Sequence, residues 1–417
     1  MFDTKLGLLD EIRDKFAHVD TCPFQGPRVF FENAGGALTL KSVVEKSAEF
    51  TAIPDNQGRD NPAAHALVDL INKSKQDMRV FMNASKGQVF VGESGTELLF
   101  RLIRTAVLGS GKGGNVVSST FEHPASRSAA IRWADVADKE HRLVPHDAER
   151  GIVTAEAYMP YVDAETRVAT ILHTSPVTGM GADVVSIVKA IRAVSPDCFI
   201  IVDGIQHAAH GHIDIDAYDI DGYTISPYKA FSRHGYGVAW ISDRLAKLPH
   251  DMLIGAPGEP WEMGTRDTGA YVTFSEVVSY LEWLGGNFSD STDRRKKIEA
   301  AATAIHAHEK SLCDAMLFGT GNLKGLSEMP EIQVVGGVDN PAREGLVSIT
   351  VKGQQSADVV TKLNEQGIRT HVRKADHYSA SVLEPMGLET CIRVSMCHYN
   401  SEQEVAKFLT VMQEIVA

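Results

Sequence analysis

Short, β-branched apolar runs recur through the first two thirds of the chain, separated by stretches with helical spacing. Residues 88–92, 115–120, 168–174, 198–202, 222–229 and 238–242 are brief and largely apolar, which predicts strands buried on both faces. Apolar positions recur every third or fourth residue over 64–84, 98–108 and 184–194, and these predict helices. Strands alternating with helices at this spacing imply a parallel, doubly wound α/β sheet. Leu6, Leu8, Leu9, Ile12 and Phe16 predict an opening helix over 4–17, a short strand follows at 28–31, and another helix follows 261–266. From about residue 287 the pattern becomes charged and helical (294–312). It then reads as strands 331–335 and 346–351, helix 357–366, strands 368–372 and 391–395, and helix 402–415. That order predicts a small α+β unit on an antiparallel sheet. The expected division is 1–27, a helical segment packing with the small domain; 28–286, a large domain; and 287–417, the small domain.

Composition narrows the partners. At 417 residues, with 43% hydrophobic and 23% charged residues, the chain has ordinary globular proportions and room for two domains. A formal charge of −13 speaks against a nucleic-acid or anionic-membrane surface, so any phosphate must be held in a local pocket. The 5 cysteines have neither disulfide nor zinc spacing, and a reducing cytoplasm is expected. The charged N-terminus is unlike a signal peptide, and no run approaches the roughly 18 apolar residues of a membrane span.

Candidate chemistry gathers at the ends of predicted strands, where open α/β sheets bind ligands. Asp203 ends one strand and Lys229 ends the next. A lysine for a Schiff base and a carboxylate for a pyridinium nitrogen suit pyridoxal 5′-phosphate (PLP), and a plain ion pair is the alternative. Ser94, Gly95 and Thr96 lie between a strand and a helix, as a phosphate cradle or a simple cap. Asn33, Gly35 and Gly36 form either a turn or a loop at a substrate mouth. His123 is a ring for stacking on a planar cofactor or a capping residue, and Thr265 is a helix cap or a phosphate donor. Arg393 interrupts an apolar strand and needs an anion, either a substrate carboxylate or an internal acid. Gly109, Gly111 and Gly114 have dinucleotide-loop spacing but follow a helix and precede a strand, which argues against a nicotinamide cofactor. Gly111-Lys112 resembles part of a P-loop, but Ala106 and Gly113 replace the residues that loop needs. His207, His210 and His212 read as polar loop residues, and no metal is expected.

In their order, Asn33-Ala-Gly-Gly, Glu122-His123, Ser175-Pro-Val-Thr-Gly179, Asp203-Gly-x-Gln206, Ser226-Pro-Tyr-Lys229, Glu262-Met-Gly-Thr265 and Arg393 with Tyr399-Asn400 resemble the fold-type-I PLP enzymes. The likeness is to the aminotransferase class V group that contains the cysteine desulfurases, and it runs from about Arg28 to the C-terminus. It implies a mainly parallel seven-stranded sheet and a small C-terminal domain. By the same resemblance, Lys229 holds PLP and moves protons, Asp203 pairs with the ring nitrogen, His123 stacks on the ring and Gln206 bonds the ring hydroxyl. Ser94, Gly95, Thr96, Ser226 and Tyr228 would bind the phosphate, Thr265 would reach the phosphate of a second subunit in a homodimer, and Arg393 with Asn33 would hold the substrate carboxylate. Three positions depart from the pattern. Tyr228 stands where many relatives have histidine, Pro176 replaces an asparagine, and Tyr378-Ser379 occupies the segment that carries the persulfide-forming cysteine in one major desulfurase type. The expected activity is a lyase or aminotransferase acting at Cα or Cβ of a small amino acid without an enzyme persulfide. An epimerase, or a non-catalytic binding or regulatory protein of the same fold, is the alternative.

Overall fold

The computed structural model describes residue 2, residues 5–256, residue 258 and residues 260–417. Its main sheet comprises Gln88–Gly92 (β1), Asn115–Ser119 (β2), Glu140–Val144 (β3), Thr166–Leu172 (β4), Phe199–Asp203 (β5), Gly222–Ile225 (β6) and Gly237–Ile241 (β7). Successive side chains alternate between two apolar layers: Val89 and Val91 enter one and Phe90 the other, and Ile200 and Val202 oppose Ile201 in the same way. Helices cover both layers, which is why the central strands read as unbroken apolar runs. Gly95–Gly109 (α4) and Pro124–Val136 (α5) fill one side. Pro62–Met82 (α3), Val184–Val194 (α6) and Thr268–Gly286 (α7) fill the other, and Leu8–Asp14 (α1) and Lys41–Thr51 (α2) join it at the edge.

The strand order is β3-β2-β4-β5-β6-β7-β1. β7 runs antiparallel to both β6 and β1, while the remaining pairs are parallel. Two reversals cancel, so β1 points the same way as β6. The segments leaving β1, β2, β4, β5 and β6 therefore all emerge on one edge of the sheet. This topology brings residues near 95, 123, 176, 203 and 229 together.

Arg294–Phe318 (α8) runs from the large core, through Ile298 and Ile305, into the second core through Leu312 and Met316. There Ile332–Val334 (β8), Leu346–Val351 (β9), His371–Lys374 (β10) and Thr390–Ser395 (β11) form an antiparallel sheet in the order β8-β9-β11-β10. Ser356–Glu365 (α9) and Glu402–Val416 (α10) cover it. Val29–Phe30 pairs in parallel with Ile368–Arg369, joining the start of the chain to this unit. In α1, Leu8 and Ile12 join the large core, while Arg13 donates to the Tyr399 carbonyl at 2.6 Å and pairs with Glu404 at 3.4 Å.

Several elements differ from the sequence reading. The expected strand 222–229 stops at Ile225; Pro227 has no N–H to continue the ladder, and Pro227–Lys229 forms a 3₁₀ turn. The expected strand 368–372 splits between two partners. β3, α2 and α5 had no clear sequence signal. β3 is an edge strand of mixed burial, and α5 packs through alanines rather than a strong apolar stripe.

Candidate active site

Thr96, His123, Asp203, Gln206, Ser226, Tyr228 and Lys229 line one pocket with Leu172, Pro176 and Ile205. Ser94 lies just outside it and caps α4, its Oγ accepting from the Glu97 N–H at 3.1 Å. A Cβ on Gly95 would collide with Ser226 Oγ and Ile205, so glycine alone lets the start of α4 reach the turn after β6. The free N–H groups of this helix start, with the hydroxyls of Thr96 and Ser226, form an anion cradle.

Asp203 closes β5, and its carboxylate accepts from the Ile205 N–H at 3.0 Å. Burial raises this carboxyl to about 6, against the lowering effects of that N–H and of Lys229. Burial lowers the Lys229 ammonium to about 8; Arg393 adds to the fall and Asp203 opposes it. Lys229 Nζ donates to Gln206 Oε1 at 3.4 Å. His123 caps α5, with Nδ1 accepting from the Ala125 N–H at 3.2 Å. Burial, with the nearby Lys229 and Arg373 charges, lowers its imidazole to about 3, so the ring is neutral. The Tyr378 ring lies 6.1 Å from it, and Tyr228 stacks on His234 at 4.3 Å.

Arg393 is buried on β11, donates from Nη1 to the Pro176 carbonyl at 3.0 Å, and leaves Nε without a partner. Burial and Arg373 lower its guanidinium to about 10, which still leaves it charged at neutral pH. A buried fork with unused donors is a receptor for a carboxylate. The loop after Asn33 borders it: a Cβ on Gly35 would sit 3.5 Å from Arg393 Nη2, and one on Gly36 would sit 3.3 Å from the Tyr228 ring.

Asn33 and Thr265 also lie outside the lining of this pocket. The Asn33 amide does not face the pocket: Nδ2 donates to Ser395 O at 2.8 Å and Asn400 Oδ1 at 3.2 Å, and Oδ1 accepts from the Tyr399 hydroxyl. Asn33 therefore anchors the glycine loop, and a direct substrate contact by its amide is corrected to that role. Thr265 is exposed and absent from the pocket lining of its own chain.

Other groups take parts that the sequence reading did not assign to them. Arg373 lies close enough to Lys229, His123 and Arg393 to disfavour their protonated forms, and its Nε is buried without a partner. Glu122 accepts at Oε1 from the Ser119 N–H and the Thr170 hydroxyl, while its other oxygen is buried and unpartnered. His207 and His210 are not loose loop residues: they are buried against Glu344 at 2.9 Å and Glu309 at 2.7 Å. Those acids lie more than ninety residues away, so only the fold reveals the pairs.

The residues present fit PLP. They offer an anion cradle of backbone N–H groups and hydroxyls, a lysine that gives up its proton more readily than usual, a buried carboxyl for a ring nitrogen and a neutral imidazole for a ring face.

Comparison with known proteins agrees. A Borreliella burgdorferi probable cysteine desulfurase is 23% identical over 412 residues, covering 93% of this chain and 92% of that protein. The Aspergillus flavus cysteine desulfurase-like protein ustD is 26% identical over 411 residues, covering 94% and 88%. An apo cysteine desulfurase structure from Thermococcus onnurineus superposes with a TM-score of 0.78 at 21% identity, covering 93% and 94%, and shows the shared fold. The aminotransferase class-V family matches residues 29–408, and the chain belongs to this family of PLP-dependent enzymes.

Proposed function

We propose that the enzyme acts at Cα or Cβ of a small amino acid, as a lyase or aminotransferase, without forming a persulfide on its own cysteine. The observation that carries this reading is the convergence of Asp203 and Lys229 in one pocket, with the Arg393 guanidinium, its Nε unpartnered, held beside it on the carbonyl of the lining residue Pro176. PLP supplies an electron-accepting ring and an aldehyde carbon for imine exchange. Arg393 orients the substrate by its carboxylate. Lys229, with its ammonium lowered to about 8, exchanges a proton at Cα near neutral pH. Asp203 holds a proton at the ring nitrogen, and His123 covers the ring as a neutral group. Thr265, exposed on its own chain, completes the phosphate site of a second subunit.

The second guanidinium, Arg373, donates to Ser379 and lies near Lys229 and Arg393, so its charge beside the pocket favours a polar or anionic β-substituent. Tyr378 stands at the His123 end of the pocket, and Cys391 is buried in β11 with its thiol pushed up to about 11. A persulfide carrier needs a mobile, ionised thiol, and neither residue provides one.

The test is a screen of the reconstituted enzyme with the twenty amino acids, measuring spectral change, pyruvate, sulfide and amino-group transfer. Turnover of one or a few polar amino acids, abolished in Lys229→Ala, is expected. Full activity in Lys229→Ala overturns the reading.

A further inference from the structure

Behind Gln206 runs a buried line of hydrogen bonds. Lys229 Nζ donates to Gln206 Oε1 at 3.4 Å, Gln206 Nε2 lies 3.2 Å from His210 Nε2, and His210 Nδ1 lies 2.7 Å from Glu309 Oε2. Gln206, His210 and Glu309 are all buried, and Glu309 belongs to α8.

The donors and acceptors allow few arrangements. An amide NH₂ only donates, and a bare imidazole nitrogen only accepts. With Nδ1–H directed at the Glu309 carboxylate and His210 neutral, Nε2 accepts from the amide, and the amide oxygen faces Lys229. A lysine amine satisfies that oxygen. A deprotonated ring oxygen does not, because both atoms accept. To donate to such an oxygen, Gln206 must turn its NH₂ into the pocket and its Oε1 toward His210. Nε2 must then carry a hydrogen. That requires one more proton on the pair, as imidazolium beside carboxylate or as Nε2–H imidazole beside protonated Glu309.

We propose that His210 and Glu309 are positioning residues that store this proton and thereby set which end of the Gln206 amide faces the pocket. The pair takes a proton from solvent when PLP brings a deprotonated ring oxygen to Gln206, and returns it when the pocket holds only the lysine amine. The proposal rests on reading Gln206 as the partner of that ring oxygen.

The surroundings support proton storage. Burial works against a charged His210, yet Glu309 more than offsets it and raises the imidazole above its ordinary value; Glu344 adds to this and Lys229 opposes it. Burial raises Glu309 as well. The pair thus binds a proton more tightly than its separated groups do and titrates as a unit. On Glu309 itself Glu344 adds to the rise, while His210 and His306 oppose it. His398, held neutral by burial, and the Cys397 and Cys313 thiols and Tyr399 hydroxyl, all raised by burial, also border the pair.

The test uses the pH titration of the bound cofactor's visible absorption, with calorimetry of PLP binding to apoprotein in buffers of different ionisation enthalpy. In Glu309→Gln, His210 stays neutral and the amide oxygen stays toward the ring. The absorbance midpoint should rise by about one to two pH units, the size of one charge-assisted hydrogen bond, and PLP binding should take up about one proton fewer. Glu309→Asp should restore both. His210→Gln, whose amide turns without gaining a proton, should show the same loss of proton uptake, and it serves if Glu309→Gln does not fold. Wild-type proton uptake in these variants, with a midpoint still sensitive to Gln206→Leu, overturns the proton store. A midpoint unmoved by Gln206→Leu overturns the reading of Gln206, and the proposal with it.

Discussion

Asp203 closes β5 and Lys229 lies in the turn after its neighbour β6, and burial moves their protons in opposite senses: the carboxyl rises to about 6 and the ammonium falls to about 8. At neutral pH the acid is ionised and the amine is readily freed. Covalent capture of PLP by the apoprotein needs the neutral amine, so its rate should rise with pH and level off above about 8, not near the ordinary lysine value of 10.5. Asp203 favours the ammonium, so Asp203→Asn should move the plateau to lower pH. Stopped-flow absorbance across the pH range reads both effects, and a wild-type rate still climbing above pH 9 contradicts them.

Turnover should respond to the same residue more strongly. Asp203→Asn leaves a ring-nitrogen proton without its anionic partner, and removing one side of a buried pair costs about 3–5 kcal/mol. A fall in kcat of roughly 10²–10⁴-fold is expected, with cofactor still bound. Steady-state kinetics on protein of measured PLP content check this.

Gly95 tests the phosphate cradle. A methyl group there meets Ser226 Oγ and Ile205, and overpacking of this kind costs about 1–3 kcal/mol. Gly95→Ala should weaken PLP binding by about 5–150-fold, measured by equilibrium dialysis, while circular dichroism stays near wild type.

The sheet and the strand–turn–helix step at Ser94-Gly95 were legible because a doubly covered strand must be apolar throughout, and serine followed by glycine after such a strand marks a helix start. Asp203 and Lys229 were legible because strand ends face the crevice. The partners of His207 and His210 were not, since nothing in sequence joins residue 210 to residue 309 until α8 crosses beneath the site. Asn33 misled for a related reason: its loop borders Arg393, but its amide is consumed by Ser395, Tyr399 and Asn400, which the sequence places far away. Arg373 passed as one charge among several in an exposed-looking segment, and only pairing of β10 with β11 sets it beside Arg393.

The two arginines should separate in kinetics. Arg393→Lys keeps charge but loses the planar fork, so KM should rise for every amino-acid substrate. Arg373→Gln should raise KM for substrates with an acidic β-substituent by about tenfold or more, the value of one charged hydrogen bond, and change it little for neutral ones. Equal effects of Arg373→Gln on both substrate classes contradict the assignment of Arg373 to the side chain.

Glu122 predicts a pH-dependent stability. Burial, with a smaller contribution from Asp203, raises its carboxyl to about 8, against the hydrogen bonds from Thr170 and Ser119. A group whose folded-state value is raised binds its proton more tightly in the folded state. Its stabilising effect is complete below its unfolded value near 4.5 and is lost as pH climbs through about 8. Glutamine mimics the protonated acid at every pH. Glu122→Gln should therefore match wild-type stability near pH 4.5 and exceed it increasingly toward pH 8, by about 1–3 kcal/mol, the usual cost of an unsatisfied buried polar group. Thermal melts of both apoproteins at several pH values measure the difference. A gain that is constant with pH assigns the effect to packing, and a loss at high pH means the carboxylate is ionised and paired in the folded chain.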